Sequence, residues 1–241
     1  TRTQAEAAHR ASEERYRELV EQASDIIYRT DAAGRFTYCN PTSLRILGYL
    51  PEELLGRHYL EIVRQDRRAQ AERFYGRQFV RKVPRTVYEV PVSTKDGREV
   101  WLGQHAQLLV ETGTVNGFQV VARDITERKR VEQALRESEE RFFKAFQSSP
   151  AGMTISRLED GRVLDVNDAF VRVSGFSREE LIGMSSLDIG IWVNPDDRRQ
   201  LAETLRRDGF LRHLEKEFRT KSGDVRHGLF NVEPVCIGRE N

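Results

Sequence analysis

Asn40-Pro41-Thr42-Ser43-Leu44-Arg45-Ile46-Leu47-Gly48-Tyr49-Leu50-Pro51-Glu52-Glu53-Leu54-Leu55-Gly56 is the stretch on which the fold turns. Asparagine is a good helix N-cap and proline suits the first helical position, so a helix opens at Asn40-Pro41 and stops at Gly48. Pro51 through Leu55 makes a second short helix, stopped by Gly56. Upstream, Ile26-Ile27-Tyr28-Arg29-Thr30 and Arg35-Phe36-Thr37-Tyr38-Cys39 flank Asp31-Ala32-Ala33-Gly34, which reads as strand, turn, strand. Downstream, a third helix is expected from about Asp66 to Arg81, with Phe74, Phe79 and Val80 facing inward. Three further strands follow around Val87 to Val92, Val100 to Val110 and Phe118 to Ala122, joined by turns at Lys95-Asp96-Gly97 and Gly113. The order predicts an α+β fold: an antiparallel sheet with helices on one face.

The same stretch occurs twice. Asn40, Gly48, Glu52-Glu53-Leu54 and Gly56 return as Asn167, Gly175, Glu179-Glu180-Leu181 and Gly183, each 127 positions later (167 − 40 = 127). Ser12-Glu13-Glu14-Arg15-Tyr16 returns as Ser138-Glu139-Glu140-Arg141-Phe142, and Thr94-Lys95-Asp96-Gly97 as Thr220-Lys221-Ser222-Gly223, at 126 (138 − 12 = 126). One residue is therefore inserted near Glu159-Asp160-Gly161. A period of this length is a whole small domain, not a solenoid repeat. Aligning Val100 with Val225 sets Asn241 against Asn116, so the second copy lacks a counterpart of Gly117 through Thr126.

With Asp31-x-x-Gly34, the strand ending in Asn40, Gly48-Tyr49-x-x-Glu52-Glu53-Leu54-x-Gly56, Lys95-Asp96-Gly97 and the closing Asp124-Ile125-Thr126, the chain resembles the Per-Arnt-Sim (PAS) sensory domain with its C-terminal PAC portion. The resemblance covers both copies. It implies two five-stranded antiparallel sheets, each with helices on one face, joined by a long helix. The expected division is an N-terminal signalling helix at 1–22, a first PAS/PAC domain at 23–126, a coiled-coil-like linker at 127–147 and a second PAS domain at 148–241, without its final strand and DIT motif.

Composition bounds the function. Among 241 residues, 39 Lys and Arg balance 38 Asp and Glu, a net charge of +1, which argues against nucleic-acid and anionic-membrane partners. No apolar run approaches the ~18 residues that span a bilayer. Two cysteines, Cys39 and Cys236, make neither a disulfide framework nor a metal site, so a reducing, cytoplasmic setting is expected. The chain starts at Thr1 without a leader and reads as an excised stretch.

Catalytic signatures are absent: there is no phosphate loop, dinucleotide fingerprint, zinc helix or nucleophile elbow. Paired carboxylates such as Glu52-Glu53 sit in helix first turns, where the dipole favours them. His9, His58, His105, His213 and His227 lack metal-ligand spacing, so no metal site is expected. The resemblance brings a haem or flavin alternative. The helix from Asp66 to Arg81 carries no histidine for iron, and Cys39 lies at a strand end instead of in a photoreceptor motif, so no cofactor is expected.

A ligand pocket is expected between sheet and helices. Leu44, Leu47, Leu54, Phe74, Phe79, Tyr88, Trp101 and Gln119 are its candidates in the first copy. Met153, Phe170, Phe176, Trp192, Leu205, Phe218 and Phe230 are those of the second, with plain core packing as the alternative for both sets. The resemblance gives Asp124 the role of tethering sheet to helix, with Thr126 as N-cap. Val131, Leu135, Ser138, Phe142 and Ala145 alternate spacings of four and three, a coiled-coil seam. Ala5, His9, Ser12, Tyr16, Leu19 and Ala23 repeat it. The expected function is a sensory and homodimerising input module, itself not an enzyme, that passes a signal to an output domain of the same chain such as a histidine kinase or nucleotide cyclase. A ligand-free protein-protein scaffold is the other alternative.

Overall fold

The computed structural model describes residues 14–15 and 17–235. Ala5, His9, Ser12, Tyr16 and Cys236 lie outside the described residues, as does most of the helix expected at 1–22, of which residues 14–15 and 17–21 are helical. The chain divides into two compact units, Thr1–Ala134 and Leu135–Asn241.

In the first unit the elements run β1 (Ile26–Asp31), β2 (Phe36–Cys39), α1 (Pro41–Leu47), α2 (Pro51–Leu54), α3 (Arg68–Val80), β3 (Arg85–Ser93), β4 (Glu99–Glu111) and β5 (Thr114–Asp124). Helix α4 (Thr126–Ser148) follows. The sheet order is β2-β1-β5-β4-β3, with every pair antiparallel. The last strand in sequence is thus the central one: β5 pairs Ile26 with Ala122 on one side and Ala106 with Val120 on the other.

Alternation fixes the register. Val100, Leu102, Gln104, Ala106 and Leu108 of β4 are buried, so a slip of one residue would turn this whole row to water. At Gly117 the φ is +151° and an added Cβ would lie 1.9 Å from the carbonyl oxygen of Thr30, so β1 and β5 approach there only because the side chain is missing. The core joins Ile26, Phe36, Leu54, Val90, Val92, Leu102 and Val120 between sheet and helices. Helix α3 starts two residues later than expected, and Val80 is 80% exposed instead of inward. Its buried stripe is Ala71, Tyr75 and Gln78.

The buried Asn40 organises the entry to α1. Its Oδ1 accepts from the backbone N–H of Ile27 (3.0 Å) and Ser43 (3.0 Å), while Nδ2 donates to the carbonyls of Val20 (3.2 Å) and Asp25 (3.0 Å). One amide therefore caps a helix, holds a strand and secures the turn arriving from upstream.

The second unit repeats this plan as β6 (Thr154–Ser156), β7 (Val163–Val166), α5 (Asp168–Ser174), α6 (Arg178–Leu181), α7 (Pro195–Asp208), β8 (Leu211–Arg219) and β9 (Val225–Val232). Asn167 accepts from Met153 N (2.8 Å) and Phe170 N (2.9 Å) and donates to the carbonyls of Phe146 (3.0 Å) and Ala151 (2.9 Å). Its strands form two separate pairs, β6-β7 and β8-β9. The described residues contain no counterpart of β5, the strand that joins the equivalent hairpins in the first unit, and the interior is correspondingly two small clusters around Val166 and Leu201. Pairing of Ser93 with Glu99 and of Arg219 with Val225 corrects the alignment of this hairpin: Val225 matches Glu99, not Val100 (225 − 99 = 126).

Candidate functional site

The inward face of the first sheet carries an aromatic and polar cluster. Phe74 stacks on Tyr88 with ring centroids 4.3 Å apart, and Tyr75 meets Tyr59, Tyr88 and Phe118 edge-on at 5.5, 5.9 and 5.8 Å. At the centre, Gln104 Oε1 accepts from the hydroxyls of Tyr28 (3.2 Å) and Tyr75 (2.5 Å). Burial, which disfavours the phenolate, pushes both phenols far up, and that of Tyr59 to about 12, so all three remain protonated donors.

Leu44, Leu47, Leu54, Phe74, Phe79 and Tyr88 all belong to this core. Trp101 and Gln119 do not line it. Both occupy outward positions of the alternation: Gln119 Oε1 accepts from Arg29 Nε (3.0 Å), and the Trp101 ring lies under Lys129 Nζ at 5.3 Å. Tyr28, Tyr75 and Gln104 take the central places instead. Period-two spacing from Leu102 points to Gln104, but a polar residue in an apolar row was the signal passed over. Cys39 is part of the same packing, with its thiol pushed up to about 12 by burial. His58 Nδ1 accepts from Leu60 N (3.2 Å) and its ring stacks on Tyr59 at 4.8 Å.

The junction between sheet and α4 is built from side chains on the outer face. Asp124 Oδ1 accepts from Thr126 N (2.8 Å), whereas Thr126 Oγ1 accepts from Trp101 N (2.9 Å). The expected roles are exchanged: the aspartate caps the helix start and the threonine ties it to β4. Ile125 N donates to the Trp101 carbonyl (2.8 Å), and its Cγ2 lies 3.4 Å from where a Cβ on Gly103 would stand. Glu89 of β3 pairs with Arg128 (2.5 Å) and Lys129 (2.7 Å) in the first turn of α4. A groove of about 300 Å³ on this face is lined by Asp25, Val87, Glu89, Gly103, His105, Val121, Arg123, Ile125 and Arg128.

Beyond that first turn α4 leaves large apolar groups in water. Val131 and Leu135 are each 59% exposed and Phe142 62%, whereas Phe146 is buried. In the second unit the pocket candidates separate. Phe170 and Phe176 pack on Val163, Val166 and Leu181, while Trp192, with Leu205, belongs to the cluster around Leu201. Phe230 stacks on Trp192 at 6.1 Å and meets Phe218 edge-on at 6.3 Å. Met153 is 42% exposed and lines neither cluster.

A family model described as PAS fold matches residues 14–125 and again 140–237. Sporulation kinase E of Bacillus subtilis is 28% identical over 234 residues, covering 95% of this chain and 30% of that protein. An uncharacterized protein of Sinorhizobium fredii, y4lL, is 26% identical over 219 residues, covering 90% of this chain and 26% of its own length. Among solved structures, a sensory box histidine kinase/response regulator from Burkholderia thailandensis aligns with a TM-score of 0.45 and 26% identity, over 54% of this chain and 98% of that one. The chain thus spans under a third of the length of these two curated relatives.

Proposed function

Since this chain belongs to the PAS fold family, represented in it twice, we propose that it is the sensory and dimerisation input module of a longer signalling protein, paired with a second copy of itself through α4. The PAS relationship to sensor kinases makes it a sensory signalling module. The dimer and the output are the further step: the exposed row Val131, Leu135 and Phe142 on a helix whose first turn is bonded to the sheet supports the dimer, and the likeness to longer kinases supports the output. Burying a leucine or phenylalanine side chain contributes about 1.5–3 kcal/mol. Covering three such residues on each of two chains is the favourable contribution available to offset the freedom lost on association, and the surface ion pairs around them are worth only about 0–1 kcal/mol each.

In this reading a ligand or partner shifts the sheet, Thr126 and Glu89 carry the shift into α4, and two arrangements of the paired helices bias an output domain of the same chain, a kinase by analogy with sporulation kinase E. A cytoplasmic setting is the reading that two cysteines without a disulfide framework favour; no helix among the described residues is long and apolar enough to cross a membrane.

The test places glutamate at both Leu135 and Phe142. Desolvating unpaired carboxylates in the dimer is expected to weaken association by several kcal/mol while each unit keeps its fold. Light scattering across a concentration series with circular dichroism reads both quantities. An unchanged dimer in the double variant removes the seam as the interface, and loss of folding together with dimerisation shows that these side chains pack on their own unit.

A further inference from the structure

Strand β3 is guarded along one half and bare along the other. It is the outermost strand on its side of the first sheet, and it runs from exposed Arg85, Val87 and Glu89 to buried Val90, Pro91 and Val92. The segment before α3 covers the buried half: Arg64 N donates to the Pro91 carbonyl (3.0 Å) and Ser93 N to that of Ile62 (2.7 Å). Among the described residues no backbone does the same for 85–89, where Val87 is 62% exposed. Open edges are ordinarily blunted by proline or by covering chain, and here both stop at Pro91.

The same bonds fix which way the backbone faces. Pro91 and Ser93 turn their groups away from β4, whereas the Pro84 carbonyl accepts from Leu108 N of β4 (3.0 Å). Antiparallel pairing alternates strictly, so odd-numbered residues of β3 face the edge and even-numbered ones face β4. Arg85, Val87 and Glu89 therefore line up their N–H and C=O groups along the open edge, with their side chains together on the outer face of the sheet.

We propose that β3 pairs antiparallel with β3 of a second copy of this chain, about a two-fold axis at Val87. In that register Val87 exchanges both backbone bonds with its own copy, and Arg85 exchanges both with the second copy's Glu89. The exposed valines then meet side by side, and each arginine lies beside a glutamate of the other chain.

Charge selects this register over its neighbours. Centred on Arg85, the strands would set arginine against arginine; centred on Glu89, they would set glutamate against glutamate and Val87 against Pro91, which has no N–H and whose carbonyl is taken. The Arg85 side chain has no ion pair or hydrogen bond among the described residues. Glu89 already holds Arg128 and Lys129, but both cations are shared with Glu132 (2.9 and 3.4 Å), and each carboxylate oxygen can accept a second bond. The pairing is a contact separate from the α4 seam and does not rest on the sensory reading.

The test is hydrogen exchange of the ¹⁵N-labelled full chain across a concentration series, read by NMR. The amides of Arg85, Val87 and Glu89 are expected to gain protection as concentration rises, while those of Thr86 and Tyr88, bonded to β4 throughout, stay unchanged. A second reading is oxidative cross-linking of Val87→Cys in a Cys236→Ser chain, since Cα atoms of a hydrogen-bonded antiparallel pair lie about 5.5 Å apart, within reach of a disulfide. Thr37→Cys, exposed on the opposite edge strand β2, is the collision control. Adding Arg85→Glu sets acid against acid and is expected to slow the linking about three- to ten-fold, and adding Glu89→Lys as well to restore it. Exchange at the three amides that ignores concentration, or linking no faster at position 87 than at 37, overturns the pairing. Both readings are repeated in the Leu135→Glu, Phe142→Glu chain, where their loss overturns the edge as an interface in its own right. Light scattering of that chain reads the α4 seam, so either interface can fail while the other stands.

Discussion

Asn40 and Asn167 show how much one side chain can organise. Each sits fully buried, with its carbonyl accepting from a strand and a helix start and its amide nitrogen donating to two carbonyls upstream. Replacing Asn40 or Asn167 by alanine strands several of those backbone groups without partners. Each change is expected to cost its own unit about 2–4 kcal/mol, read as a lowered midpoint in urea unfolding. Asn→Asp at the same positions separates the two halves of the role, since the carboxylate keeps the acceptor and loses the donor. An alanine variant as stable as the parent would mean that water replaces the amide. Asparagine as helix cap was legible from Asn40-Pro41 alone. Its grip on Val20 and Phe146 was not, because spacing along the chain does not report which carbonyls a buried Nδ2 reaches.

At the scale of elements, the junction of β3, β4 and α4 is the part most directly open to measurement. Lys129 first and Arg128 second hold the Glu89 carboxyl below its ordinary value. A lowered folded value means that the pair contributes above the ordinary glutamate range near 4.3 and is lost as pH falls through the folded value. NMR titration of the Glu89 carboxyl carbon is therefore expected to give a midpoint below that range. Lys129→Met is expected to move it upward; a midpoint at or above the ordinary value in the parent would dismiss the latch. Sequence had marked Asp124 and Thr126 but assigned Trp101 to the wrong face. Val100-Trp101-Leu102 is an unbroken apolar run, and such a run does not say which side of a strand is inside. The row Leu102, Gln104, Ala106, Leu108 does, once the polar Gln104 is admitted to it.

For the whole molecule, the doubled α+β plan was visible because repeats and turn residues are local signals, whereas strand order is not. The placement of β5 also has a consequence for how the chain is made. Synthesis delivers β1 to β4 first, as two hairpins with no strand between them, and Ile26 meets Ala122 only after 96 further residues (122 − 26 = 96). A chain cut after Glu111 retains both hairpins and the helices between them, yet is expected to melt without a cooperative transition, because its halves share no ladder. A sharp calorimetric transition in that truncation would contradict this. On the ribosome the half-made domain waits with two open strand edges, and closure, governed by long-range pairing, belongs to the millisecond-to-second class of folding reactions. The interval between emergence of Glu111 and emergence of Asp124 is thus when a nascent first unit is most exposed to strand exchange with a neighbour on the same message.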